Sequence, residues 1–482
     1  MRRYQFEVRV SATQVAGIYS TPEATDILID PDPIEVDQLR DDTIDLLEDL
    51  LNNWDVLGRL MTNPNKPSLD RSRQSLLTAR TFRVLGTHLW DMILAGTHVG
   101  PALMQAIDQD RKGRTLRVLI SFDGADAEVL RLMGLPWEFL FCPHGYFLSA
   151  RSELVLSRFV RTGEQQELEP TAKPLNVRFV LALPEGAGFG DEYRKVVRMI
   201  DGVRAIDQVE VAIDDWPPRT AVVSEGSVPN GAPPDVIHLV GACLGERGKA
   251  KIFYGVEDQP PTWQPPDVLI DALVELSGRE ASNGSRAGTK LVVLHLCEWT
   301  GDQSDPSENF ERLAPNFIDR GIPAVLAMQY PLAAAAAQGP LRTFYEQLAS
   351  GKAVGQSVQF ARSEMRKKDQ NMRWFGAPVL YLRCADGPVR QPEKSSIGPL
   401  NGPEFALDSP IRGQLIEIVR TSDLTADQRQ RLVDWVDEVA SNELNLERIL
   451  RAQLKKHADD FSMFGIFNSM LKAVTGDVRR TG

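Results

Sequence analysis

Cys297 closes the apolar run KLVVLHLC (290–297) and is followed by Glu298 and the glycine-containing loop WTGDQSD. A near-continuous Val/Leu run of this length reads as a buried strand. The thiol therefore stands at a strand's carboxyl end, where a nucleophile can be presented and loop N–H groups can face a developing oxyanion. A lone thiol with a pKa near 8.5 is only a few per cent thiolate at neutral pH, so it needs a base. The chain holds 6 histidines to supply one. His295 lies two residues before Cys297, on the same strand face; it reaches the thiol only if the strand end bends, and otherwise packs. The second candidate is His238, in DVIHLVGACLG (235–245). That run ends in Ala242 and Cys243. His238 precedes position 242 by four residues, about 13 Å along a strand, and reads as a buried structural residue. Cys243 could pair with Cys297 as a redox or metal couple, although buried thiols usually behave as small apolar groups. Glu298, Asp302 and Asp305 make an acidic rim that either attracts a basic substrate side chain or is simply solvated; the solvated reading is preferred.

The elements that must position these residues follow from the pattern of 175–385. Strands LNVRFVLAL, VEVAI, DVIHLVGA, KLVVLHLC, PAVLAMQY and PVLYLR alternate with amphipathic helices near 192–203, 267–276 and 310–319, with two more helices after PAVLAMQY. Strands this uniformly apolar, separated by helices, predict a parallel sheet covered on both faces. Ligands then bind at the strands' carboxyl ends. Ahead of this region, Tyr4, Phe6, Val8 and Val10 alternate as on a half-buried strand. The segment 36–54 carries a helical stripe of leucines, and a second helix bears Phe82, Leu85, Leu89, Trp90 and Ile93. LRVLISF, WEFLF and ELVLSRFV (153–160) read as strands, with Pro136 and Trp137 as turn and core residues. The polar stretch 162–174 and the Pro/Gly/Ser-rich stretch 386–409 read as linkers. Thr425 and Gln428 form a capping box ahead of Leu432, Trp435, Val436 and Val439, and a further helix carries Phe464, Phe467 and Leu471. The expected division is an N-terminal α+β half (1–174), an α/β domain (175–385), a linker (386–409) and a helical module (410–482). That module is expected to carry partner binding or self-association.

Composition narrows the function classes. Lys and Arg number 54 against 66 Asp and Glu, a net charge of −12. An acidic chain repels phosphate backbones, so no nucleic-acid partner is expected. Gly186, Gly188 and Gly190 lack the GxGxxG spacing of a dinucleotide turn and read as a pocket-rim loop. The four cysteines, Cys142, Cys243, Cys297 and Cys384, match neither a CxxC zinc site nor a disulfide framework. No cofactor and no metal are expected. Scarce thiols fit a reducing cytoplasm, and the start MRRYQFEVRV has no apolar segment of a secretory signal. No apolar run approaches the ~18 residues of a membrane span.

The ordered motifs LGTHLWDMIL, LPWEFLF, FLSARSELVLSR, DVIHLVG, KLVVLHLCEWTGD, FERLAPNFIDRGIPAVLAMQYPL, FYEQLASGKAVGQSVQFAR and WFGAPVLYLR resemble the CHAT domain, a bacterial branch of the caspase-like cysteine peptidases. The resemblance spans about 80–385. It implies a three-layer caspase-like α/β sandwich with a mostly parallel sheet. It also implies a Cys/His dyad on two neighbouring strand ends. The family pattern at the second strand is usually VxHFxGHG, with the second His catalytic. Here His238 matches the first His, Ala242 stands at the catalytic one, Cys243 at the following Gly, and Cys297 at the nucleophile. The resemblance thus implies a peptidase-impaired scaffold of a bacterial signalling or defence-type system, engaging a protein partner. The alternative is an active cysteine endopeptidase with Cys297 as nucleophile and an unconventional base such as His295, or a native histidine at 242. A weaker option is a domain that binds a small ligand in the same cleft.

Overall fold

The computed structural model describes residues 4–22, 26–34, 79–110, 115–123, 129, 132–151, 153–161, 168–183, 190–215, 233–246, 249–254, 262–278, 288–298, 313–329, 334–368 and 374–391, and then 418, 432 and 466–470. The helix expected over 36–54 lies outside these residues, as do Asp302 and Asp305. By backbone contacts the chain divides into one unit of 1–109 with 115–394, and a second of 110–114 with 395–482.

Among the described residues, the first unit is built on one sheet of 13 strands. In chain order these are β1 (Gln5–Val10), β2 (Gln14–Ser20), β3 (Ile27–Pro33), β4 (Leu116–Phe122), β5 (Leu154–Val160), β6 (Leu175–Ala182), β7 (Val209–Asp215), β8 (Val236–Glu246), β9 (Lys249–Tyr254), β10 (Thr262–Gln264), β11 (Leu291–Glu298), β12 (Ala324–Met328) and β13 (Pro378–Leu382). One path runs β10-β9-β8-β11-β12-β13-β5-β4-β1-β2-β3, and β6 and β7 join beside β8. The pairs β6–β7, β6–β8, β8–β11, β11–β12, β13–β5, β4–β5 and β1–β4 are parallel. β13 runs antiparallel to β12, so it joins two parallel half-sheets of opposite direction.

Alternation of side chains along the strands builds two cores. Phe179, Val236, Val240, Leu291 and Val293 face one core, with residues of α3 (Gly190–Arg204), α6 (Ala334–Ala349) and α7 (Val354–Lys368). Val180, Ile237, Leu239, Val292 and Leu294 face the other, with α4 (Pro266–Leu276) and α5 (Leu313–Asp319). The first core also takes α1 (Ala79–Ile93) and α2 (Val99–Asp110). Helix, sheet, helix is the three-layer α/β sandwich that the strand pattern predicts, and uniformly apolar strands result because both faces are covered.

Two expectations need correction. WEFLF is not a strand: Trp137–Phe139 form a short 3-10 turn, with the Trp137 indole donating to the Leu132 carbonyl at 2.8 Å. Phe139 stacks on Phe82 at 4.7 Å, so this apolar run is buried loop rather than ladder. The stretch from 386 is not slack at its start. Asp386 accepts from the Gly355 N–H at 3.0 Å and pairs with Arg117 at 3.1 Å. Arg390 donates to the Ala349 and Lys173 carbonyls and to Gln208 Oε1, and Thr171 bridges to Arg390 across the backbone. Residues 385–391 are therefore a strap fastened to the core, and it also ties down the end of the 162–174 stretch. Of the apolar positions expected in the tail, Leu432 and Phe467 are buried, as are Ile466 and Met470. Trp435, Val436, Val439, Phe464 and Leu471 lie outside the described residues.

Candidate active site

The sheet's topology selects one edge. From β6 the chain steps outward to β7, then returns to β8 and proceeds through β11 to β12 in the other direction. In an open parallel sheet, that reversal leaves a crevice outside the carboxyl ends of the two strands flanking it. Here those strands are β6 and β8.

Position 242 stands at this point. β6 ends its pairing with Ala182 opposite Gly241, and β9 begins its own with Ile252 opposite Cys243. On the other side β8 continues beside β11, where Cys297 is the register partner of Ala242 and Glu298 that of Cys243. Cys297 and position 242 are thus neighbours across one strand spacing of about 4.8 Å. The backbone places the sequence's nucleophile candidate beside an alanine, which has no proton to take or give.

Both histidines on these strands stand lower in the register. His238 pairs with Val293, four residues below the Cys297–Ala242 pair, and is fully buried. Its Nδ1 shares a 2.9 Å hydrogen bond with the Tyr345 hydroxyl, and its ring stacks on Phe179 at 4.5 Å. Burial first, and the neighbouring His295 second, hold the His238 imidazole well below its usual range, so it is neutral at pH 7. Burial also pushes the Tyr345 phenol well up, so it too stays neutral. His295, opposite Val240, is buried with its ring centroid 6.1 Å from that of His238. Tyr345, on α6, was not singled out from sequence; a hydroxyl at an inward position of an amphipathic helix is its one signal.

A second buried polar group lies in the other half-sheet. Glu138, in the turn that replaces the expected strand, accepts from Arg158 at 2.6 Å and lies 3.7 Å from Arg362, with all three side chains at most 1% exposed. Arg158 also donates to the Met133 carbonyl, and Arg362 to the Pro378 and Leu156 carbonyls. This network joins the turn to β5, α7 and β13. No cluster of three or more metal-ligating side chains occurs among the described residues. No helix among them is long and apolar enough to cross a membrane.

The family model of the CHAT domain matches residues 83–440, well over half of the chain. The chain belongs to the CHAT family. The match takes in the whole strand-end site and runs past the 386–409 stretch. Among solved structures, the Saccharomyces cerevisiae separase–securin complex is similar at 13% identity and a TM-score of 0.31, over 76% of this chain and 21% of that one. The CHAT chain thus spans about a fifth of that relative. No curated protein matches it.

Proposed function

We propose that this CHAT protein is a caspase-like scaffold whose peptidase activity is lost or strongly impaired. The observation that carries the reading is the register of Cys297 against Ala242. A dyad peptidase needs an imidazole next to the thiol, to hold the thiolate and later to protonate the leaving amine. A methyl group does neither. Of the two histidines lower on the same strands, both buried, His238 is taken by its Tyr345 hydrogen bond. CHAT membership brings the further expectation of a bacterial, cytoplasmic signalling or defence-type role. The protein partner engages either the strand-end cleft or the segment 410–482, whose sequence pattern reads as a helical adaptor and self-association module.

The test is a panel of fluorogenic peptides assayed with the wild-type chain and with Cys297→Ala. The expected outcome is turnover indistinguishable between the two. Robust turnover that vanishes in Cys297→Ala establishes instead an active endopeptidase with an unconventional base, and His295→Gln then asks whether His295 is that base.

A further inference from the structure

Among the described residues, the core face shared by β8, β11 and α6 is apolar except at three places. Phe179, Val236, Val240, Leu291, Val293 and Phe344 surround His238, His295 and Tyr345, each at most 1% exposed. A polar trio in a dry core is costly unless fully hydrogen-bonded. Within it, His238 Nδ1 and the Tyr345 hydroxyl share a hydrogen bond of 2.9 Å. His238 Nε2 is buried and makes no hydrogen bond among the described residues.

The elements packed around His238 supply few charges. β6 contributes the Phe179 ring, β11 contributes His295, and α6 contributes Tyr345. α3 adds only apolar side chains to this core, namely Val196, Met199, Ile200 and Val203. Among the described residues no carboxylate is recorded against His238; its titratable neighbours are Tyr345 and His295. A proton on His238 therefore places an uncompensated cation in the core, 6.1 Å from a second imidazole. The phenol cannot neutralise it. The charge is relieved by reaching water, and α6, whose Tyr345 hydroxyl bonds His238 Nδ1, is one of the elements that cover it.

We propose that His238, His295 and Tyr345 form an acid-sensitive latch. Protonation releases α6 from the segments 236–241 of β8 and 291–295 of β11 while the rest of the first unit stays closed. This goes beyond the scaffold reading and holds whether Cys297 is silent or reactive. The direction follows from linkage. His238 is neutral when closed and titrates near 6.5 when open, so acid favours opening only below about pH 6.5. For one imidazole the opening constant rises about tenfold between pH 7.5 and 5.5.

Hydrogen exchange with peptide-level mass spectrometry reads this directly. The full chain is labelled at pH 7.5, 6.5 and 5.5, with times corrected for intrinsic exchange. Peptides covering 236–241, 291–295 and 337–349 are expected to lose protection about tenfold at pH 5.5, while those covering 116–122 hold theirs. His238→Phe, or His238→Gln if the first does not fold, is expected to abolish the selective acid response. Uniform loss across all peptides, no loss at all, or an unchanged response in the folded His238 variant each overturns the proposal.

Discussion

Ala242→His is the substitution that best interrogates the strand-end pair. Registered positions on neighbouring strands are about 4.8 Å apart, so an imidazolium at 242 stands roughly 4 Å from a thiolate at 297. At an effective dielectric near 20, opposite charges at that distance attract by about 4 kcal/mol. Partial solvation reduces this, and a fall of about two units in the reactive-thiol pKa, from about 8.5 to about 6.5, is a reasonable magnitude. At pH 6 the thiolate fraction then rises from about 0.3% to about 24%, while the lower basicity costs about eightfold in nucleophilicity. The net gain in alkylation rate is about tenfold at pH 6 and only about threefold at pH 7. The assay is iodoacetamide labelling against pH, with the Cys297 peptide quantified by mass spectrometry and Cys297→Ala as background. Cys142 and Cys384, both buried, serve as internal references for global opening. An unchanged pH profile at Cys297, in a variant that still folds, would refute the assignment of 242 as the dyad position.

Three further outcomes test the framework that holds the site. Glu138→Gln removes the carboxylate that faces the buried Arg158 and Arg362 guanidinium groups, and the denaturant midpoint should fall by an amount corresponding to about 3–5 kcal/mol. A Cβ at Gly376 would fall inside the van der Waals envelope of the Phe139 ring, so Gly376→Ala should cost about 1–3 kcal/mol in the same measurement. Burial pushes the Glu7 carboxyl up, but hydrogen bonds from Arg161 and Ser121 and the charges of Arg161 and Arg9 outweigh it and hold it below its usual value. Its contribution is therefore present above about pH 4.5 and is lost as the pH falls through the lower folded value; Glu7→Gln should flatten the slope of stability against pH on that acid limb.

The parallel half-sheet around the site was legible because its signals are local. VEVAI, DVIHLVGA, KLVVLHLC and PAVLAMQY became β7, β8, β11 and β12, and the helix expected near 192–203 runs from Gly190 to Arg204. Apolar runs bounded by helical periodicity leave little freedom once both faces must be covered. The juxtaposition of Cys297 with Ala242 was reached through the family pattern, since no local property of either strand fixes its neighbour's register. WEFLF was misread because a short buried run has no period that separates strand from turn; what decides it is the packing of Phe139 between Phe82 and Phe375. The strap was missed for a related reason. Pro, Gly and Ser around 386–409 mark a lack of regular structure, but Asp386 and Arg390 are held by partners 31 to 269 residues away, Gly355 and Arg117 for the first, and Ala349, Lys173 and Gln208 for the second. The Glu138–Arg158–Arg362 network, likewise spread over three segments, has no spacing by which a sequence could announce it.

The placement of β13 between β12 and β5 also sets an order of events during synthesis. β5 is complete at residue 160, whereas β13 begins at 378. At about 5–20 residues per second, a ribosome takes roughly 11–44 seconds to bridge that interval. During it the partner that covers the β5 edge is missing, and once β12 is made, at residue 328, its edge lacks the same strand. Open edges are templates for pairing with other chains. The nascent protein therefore depends on holding these edges apart until a five-residue strand arrives to close the seam.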